Sequence, residues 1–229
     1  GLRSLCVAAV SVAACIVFEF LYRKLLKKDT TIGDCSAIVT GLLLAMVCPV
    51  TIPYWTIIIG DFFAIVIVKQ LFGGIGCNFL NPALAGRAFL FSYPVIMTTW
   101  VAPYSSLKLI GSNVDAVTAA TPMSYLHQGL LPDTTVFDSF LGSVGGCMGE
   151  TSAVLLLVGG VYLVVRKVIS PRIPLAYIGT VAVIALLFPQ GNDRLVWLGY
   201  QVLSGGLMLG AIFMATDYAT SPVTKGGQI

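Results

Sequence analysis

The chain has 229 residues, of which 57% are hydrophobic and only 10% charged, and its mean hydropathy of +0.93 lies far above that of a soluble globular domain. The net charge of +3 is better read by its placement than its size, no nucleic acid is expected as a partner, and the single histidine, His127, cannot build a His-rich metal or haem site. The composition is that of an integral membrane protein. Six cysteines, Cys6, Cys15, Cys35, Cys48, Cys77 and Cys147, contain no Cys-x-x-Cys pair and are expected to be buried free thiols rather than metal or cluster ligands.

The first apolar run, residues 2–22, is long enough to span a bilayer and ends without a small-residue cleavage site, so it is not a signal peptide. Arg23-Lys24-Leu25-Leu26-Lys27-Lys28 follows and places this end in the cytoplasm by the positive-inside rule. Glu19 lies four residues before Arg23, which predicts an ion pair along one helix face. A shorter run, 36–47, ends at Cys48-Pro49 and Pro53, with Tyr54 and Trp55 as an outer interfacial belt. Residues 54–72 return inward and carry Asp61 near mid-membrane, either on an ion path or hydrogen-bonded to a neighbouring helix.

Gly73-Gly74-Ile75-Gly76 breaks that helix, and Asn81-Pro82 starts another, with Asn as cap and Pro in the first turn. The glycines admit a flat ligand or a neighbouring helix; without a β-α-β context they are not a dinucleotide fingerprint. Residues 82–93, with Arg87, lead outward to a polar loop, 94–138, in which Lys108 stands alone against Asp115, Asp133 and Asp138, marking the exterior. Within the loop runs Asp115-Ala-Val-Thr-Ala-Ala-Thr-Pro122. Ala119 and Ala120 leave the Thr121 hydroxyl open, and Pro122 holds Thr121 extended. That is either an attachment point or an ordinary surface turn.

Gly33-Asp34-Cys35-Ser36-Ala37-Ile38-Val39 is echoed by Gly149-Glu150-Thr151-Ser152-Ala153-Val154-Leu155. The first copy opens on the Lys-rich side; the second runs toward Arg166-Lys167 and Arg172, so the copies are inverted. The chain thus reads as one transmembrane domain of two inverted repeats, about 1–93 and 139–229, with broken helices, as in transporter-type folds. Asp34 and Glu150 sit at matching helix starts, as dipole-capping carboxylates or as ion ligands. Spans at 174–188 and 195–215 flank an exterior turn at 190–194, and Met214-Ala-Thr-Asp-Tyr-Ala-Thr-Ser-Pro-Val-Thr224 lies on the cytoplasmic side. Ser221-Pro222 could cap a further helix, so a fragment of a longer chain is expected.

Asp115-x-x-Thr118-x-Ala120-Thr121-Pro122 resembles the flavinylation motif of the membrane flavoprotein subunits of the Rnf complex and of the sodium-translocating NADH:quinone reductase, with Ala119 where that motif has Gly. Residues 33–44, 73–86, 115–122, 149–153 and 214–224 each resemble segments of the D-type subunits of the Rnf electron transport complex, in that family's order. The resemblance implies an all-α polytopic fold of inverted repeats with broken half-helices, shared with urea transporters. It implies FMN joined through its phosphate to Thr121 by a flavin transferase, with Asp115, Thr118 and Ala120 completing the motif. It further implies a second, non-covalent flavin, riboflavin or FMN, near the cytoplasmic face. The implied partners are the other Rnf membrane subunits, an extracytoplasmic FMN-carrying subunit, membrane lipid, and Na+ or H+.

On that reading the chain is a bacterial inner-membrane subunit of a redox-driven ion pump, an electron carrier that is not catalytic alone and has no acid–base or nucleophilic constellation. The rivals are the B-type subunit of the quinone reductase, a flavin-free solute channel or transporter of the urea-transporter fold, and a purely structural membrane scaffold.

Overall fold

A computed structural model describes residues 1–101, 121–132, 134–189, 193–222, 224 and 226–228. The regular elements among the described residues are helices, with no strand, and they form two compact units, Gly1–Val117 and Thr118–Ile229.

The first unit is built on α1, Leu2–Leu25, a 24-residue helix of mean hydropathy 2.3. Its buried residues are Arg3, Val7, Ser11, Cys15 and Glu19, one in every four, while Leu5, Val17 and Leu21 are exposed. A polar stripe turned inward with apolar side chains outward inverts the order of a water-soluble helix, and suits one whose outer face meets lipid. Against α1 packs α2, Ser36–Met46, entered through a 3-10 turn, Ile32–Asp34, and a left-handed Cys35. A Cβ on Gly41 would lie 2.9 Å from the Ser11 carbonyl oxygen, so the two backbones meet only because residue 41 is glycine.

Pro49 and Pro53 stop α2 and leave its exit loop with carbonyls that no helix satisfies. Arg3 supplies the donors. Its guanidinium reaches the carbonyls of Val50 at 2.9 Å, Thr51 at 3.3 Å and Ile52 at 3.2 Å, and lies 5.3 Å from the centre of the Tyr54 ring. The next helix, α3, Tyr54–Phe62, continues without a break as a π-helical segment, Phe63–Gln70, whose wider turn shows in the Leu71 N–H to Val66 carbonyl bond at 3.0 Å. Gly73, Gly74 and Gly76 then take φ of +117°, +99° and +83°, a region costly for any residue with a Cβ. Asn81 caps α4, Pro82–Leu90, accepting the amides of Ala83 and Leu84 at 3.0 and 3.3 Å with Pro82 in the first turn, as the sequence predicts. α3 and α4 approach through Gly60 and Gly86, and the rings of Phe63 and Phe89 stack 4.4 Å apart. A short α5, Pro94–Met97, follows.

The second unit comprises α6, Pro122–His127; α7, Val136–Leu141; α8, Ala153–Val165; α9, Arg172–Leu187; α10, Arg194–Leu203; and α11, Leu207–Leu209, which runs on as a π segment, Gly210–Met214. Leu126, Ala185, Trp197 and Tyr200 form its core, and the Tyr200 hydroxyl donates to the Thr134 carbonyl. The span predicted over 195–215 consists of two helices, Arg194–Leu203 and Leu207–Met214, bent by 59° at a break where Gly205 takes a φ of +73°.

Among the described residues, α1 is long and apolar enough to cross a bilayer, and the bent pair qualifies if it is one span; α2, α8 and α9 are shorter apolar helices. Leu155, Val158 and Tyr162 of α8 and Leu175, Val183 and Leu187 of α9 are exposed, an apolar surface of the kind lipid covers. All six cysteines are free thiols, but only Cys15, Cys48 and Cys147 are buried. Cys35 and Cys77 are exposed, contrary to expectation, since each sits at a non-helical joint, before α2 and after the glycine turn.

Candidate functional site

The inward stripe of α1 brings polar groups together at two levels of the first unit. At the upper level Asp61, fully buried on α3, receives Ser11 Oγ at 2.7 Å and Cys15 Sγ at 3.3 Å, both on its Oδ1. Ser11 Oγ also lies 2.8 Å from the Gly41 carbonyl oxygen, while Asp61 Oδ2 has no hydrogen-bond partner among the described residues. The structure therefore places Asp61 in hydrogen bonds to a neighbouring helix.

At the level of the basic end, Glu19 and Lys69 form an ion pair of 2.8 Å with side chains 1% and 3% exposed. Lys69 also donates to Ser36 Oγ, and the Thr31 hydroxyl donates to the other oxygen of Glu19. The predicted Glu19–Arg23 pair does not form. Glu19 belongs to the buried stripe and faces the π-helical segment, whereas Arg23, one turn on, donates to Gln70 Oε1 at 3.1 Å and the Asp29 carbonyl at 3.2 Å. Sequence reasoning misses Lys69 as a site residue because a lysine near the end of an apolar run reads as interfacial; the period-four polar residues of α1 are the signal that a buried partner is needed.

Asp34 is exposed and accepts the Ser36 amide at 2.8 Å and the Ser36 hydroxyl at 2.6 Å, closing the turn that starts α2. Ser36 thus carries a hydrogen-bond path from Asp34 to Lys69 and Glu19. Glu150 does not cap α8, whose N-cap is Ser152; its Oε2 instead accepts the Cys147 amide at 3.4 Å.

Thr121 is the N-cap of α6. Its backbone is extended, with ψ of 153°, and its Oγ1 accepts the Ser124 amide at 3.3 Å. That bond uses an oxygen lone pair and leaves the hydroxyl proton replaceable, so the side chain fits a phosphoester attachment with its amide contact kept. Asp115, Thr118 and Ala120, like Lys108 and Asp133, lie outside the described residues. Downstream, Thr135 and Asp138 form a reciprocal cap on α7: the Thr135 hydroxyl and amide both donate to Asp138 and hold its carboxyl below the usual carboxylate range. Among the described residues no cluster of His, Cys, Asp and Glu could hold a metal. A cavity of about 240 Å³ in the second unit is lined in part by Ile173, Tyr218, Ser221 and Gln228.

A family model described as the NQR2, RnfD, RnfE family matches residues 1–229. The chain is 48% identical over 232 residues to the D-type subunit of the Na(+)-translocating ferredoxin:NAD(+) oxidoreductase complex of Acetobacterium woodii, covering 100% of this chain and 69% of that one. It is 43% identical over 242 residues to the D-type subunit of the proton-translocating ferredoxin:NAD(+) oxidoreductase complex of Clostridium ljungdahlii, covering 100% and 71%. With the B-type subunit of the Na(+)-translocating NADH-quinone reductase of Chromohalobacter salexigens the identity is 37% over 201 residues, covering 83% and 47%.

Proposed function

The chain belongs to the NQR2, RnfD, RnfE family, and from that premise we propose that it is the D-type subunit of an Rnf ion-translocating ferredoxin:NAD oxidoreductase complex, embedded in the bacterial inner membrane. The observation that carries this reading is similarity over the whole chain to the D-type subunits of two such complexes, at 48% and 43% identity, against 37% to the quinone-reductase relative. The apolar outer faces of α1, α8 and α9 support the membrane setting.

In this proposal Thr121 holds FMN through a phosphoester at Oγ1, set there by a flavin transferase that reads Asp115, Thr118 and Ala120 in the same segment. The flavin supplies the electron-transfer chemistry when bound, and a second, non-covalent riboflavin or FMN near the cytoplasmic face extends the path. This chain's own part is to position: Pro122 keeps Thr121 extended, and the Ser124 amide fixes the oxygen that carries the group. Neighbours in the path are the other membrane subunits and an extracytoplasmic FMN-carrying subunit. The fold is an inverted repeat of the urea-transporter kind, with the basic segment 23–28 in the cytoplasm and the flavin loop outside. Na+ or H+ crosses in step with the electrons, with Asp61, Asp34 and Glu150 as the acidic residues of the path.

Denaturing gels test the attachment. When the transferase is co-expressed, the wild-type band fluoresces under ultraviolet light, Thr121→Ala abolishes the fluorescence, and Thr118→Ala weakens it at most. Mass spectrometry of the peptide containing Thr121 shows one added FMN. An unmodified peptide under these conditions sinks the electron-carrier reading and favours a flavin-free channel.

A further inference from the structure

The hydrogen-bond geometry around Asp61 bears on its protonation state. Ser11 has one hydroxyl proton but two oxygen neighbours at hydrogen-bond distance, Asp61 Oδ1 at 2.7 Å and the Gly41 carbonyl at 2.8 Å. If Asp61 is ionised, it and the carbonyl are both acceptors competing for that proton, one close oxygen pair has no hydrogen between it, and Oδ2 is a charged oxygen with no donor among the described residues. If Asp61 carries a proton on Oδ1, the chain closes: Oδ1–H donates to Ser11 Oγ, and Ser11 donates to Gly41. Cys15 Sγ–H still reaches a remaining lone pair of Oδ1 at 3.3 Å, and Oδ2 becomes a neutral carbonyl oxygen, much cheaper to leave unpaired in a dry interior.

Among the described residues no cation hydrogen-bonds or ion-pairs with Asp61, although Arg87 and Asp61 both act on the Cys48 thiol. Lys69, on the π-helical segment, is paired with Glu19 of α1; Arg3 of α1 binds the carbonyls of residues 50–52; Arg87 of α4 lies 5.6 Å from the Phe91 ring. α2 contributes no charged side chain, and the nearby titratable groups are the thiols of Cys15 and Cys48. The spacings of 2.7 and 2.8 Å are those of O–H···O bonds, and a thiol is a poor ligand for a hard alkali cation. The π-helical segment, a backbone form that recurs at functional positions, begins just after Asp61.

We propose that Asp61 is a proton-exchanging carboxyl, protonated in the resting protein with Ser11 as its partner, and that it releases and rebinds one proton per cycle of the coupled reaction. The carboxyl O–H breaks as the proton leaves toward water and re-forms when it returns; no redox partner is required at this site. The idea rests on the ion-coupling reading for its purpose, but not for the protonation state, which is measured separately from the flavin.

Infrared difference spectra of the purified complex, oxidised against reduced, test it. A protonated-carboxyl C=O band that shifts in D2O is expected to change between the two states, to vanish in Asp61→Asn, and to move to higher frequency in Ser11→Ala, where the hydrogen bond is lost. Dicyclohexylcarbodiimide, which takes up the proton of a carboxyl in apolar surroundings and is then attacked by the carboxyl oxygen to give an acylisourea, is expected to label the Asp61 peptide, and Na+ is not expected to protect it. If Asp61→Asn fails to assemble, Ser11→Ala and the labelling carry the test alone. A carboxylate band in place of the carboxyl, protection by Na+, or a carboxyl band identical in both redox states would each overturn the proposal. Loss of Thr121 fluorescence would leave it standing.

Discussion

Replacing Lys69 with Met leaves Glu19 buried with the Thr31 hydroxyl as its remaining donor, since the Lys69 ammonium at 2.8 Å is gone. Breaking a buried pair by removing one partner costs about 3–5 kcal/mol, because the surviving charge is uncompensated, whereas replacing both partners with neutral groups of similar volume is close to neutral. The single variants Lys69→Met and Glu19→Gln are therefore each expected to lose about 3–5 kcal/mol, and the double variant to lose far less than their sum. At roughly 2–4 °C per kcal/mol for a chain of this size, each single change lowers Tm by about 6–20 °C. The assay is thermal unfolding in detergent, followed by helical circular dichroism and by a thiol probe of Cys15, which is buried in the same unit. Single losses below about 1 kcal/mol, or a double variant as unstable as the sum, would refute the buried pair.

Arg3→Gln strips the donors from the carbonyls of residues 50–52 and is expected to lower Tm and speed proteolysis in the loop between α2 and α3; Arg3→Lys rescues only in part, as a lysine cannot reproduce the planar fork. Gly74→Ala combines a φ of +99° with a Cβ 2.8 Å from Arg23 Nη2, and a loss of about 1–3 kcal/mol is expected from the same unfolding assay. The Asp138 carboxyl is held below its ordinary range in the folded cap, so its support of α7 is complete above the unfolded-chain value and disappears as pH falls through the folded one. Protection of the α7 amides from hydrogen exchange, taken relative to the intrinsic rate at each pH, should thus fall below about pH 4 in wild type, and Asp138→Ala should remove that acid dependence.

Local rules carry furthest where a single residue type decides the backbone. Asn81-Pro82 is a helix start in sequence and in structure, and the left-handed turn at Gly73-Gly74-Ile75-Gly76 needs the residues it has. Thr121 before Pro122 is extended for the same local reason. What stays hidden in the sequence is set by contacts between distant segments. Glu19 is four residues from Arg23, a good helical pair, yet the helix rotates it onto Lys69, fifty residues away. The run 195–215 is apolar throughout, and hydropathy is blind to the bend at the break that holds Gly205. Asp61 is recognisable by its depth in an apolar run, but the identity of its partners, Ser11 and Cys15, depends on the facing of α1.

The π-helical segment Phe63–Gln70 gives this chain a tolerance to changes of length that its neighbours lack. A wider turn holds a surplus residue, so excising one residue, such as Val66, lets the helix shorten into ordinary α geometry without a break. Everything after the excision keeps its facing, because the residue removed is the one the wide turn had taken up. Asp61 keeps its register with Ser11, and Lys69 and Gln70 keep theirs with Glu19 and Arg23. A one-residue deletion in regular α1 between Ser11 and Glu19 has no such slack, and there it would turn the two levels of polar contact apart by roughly 100°.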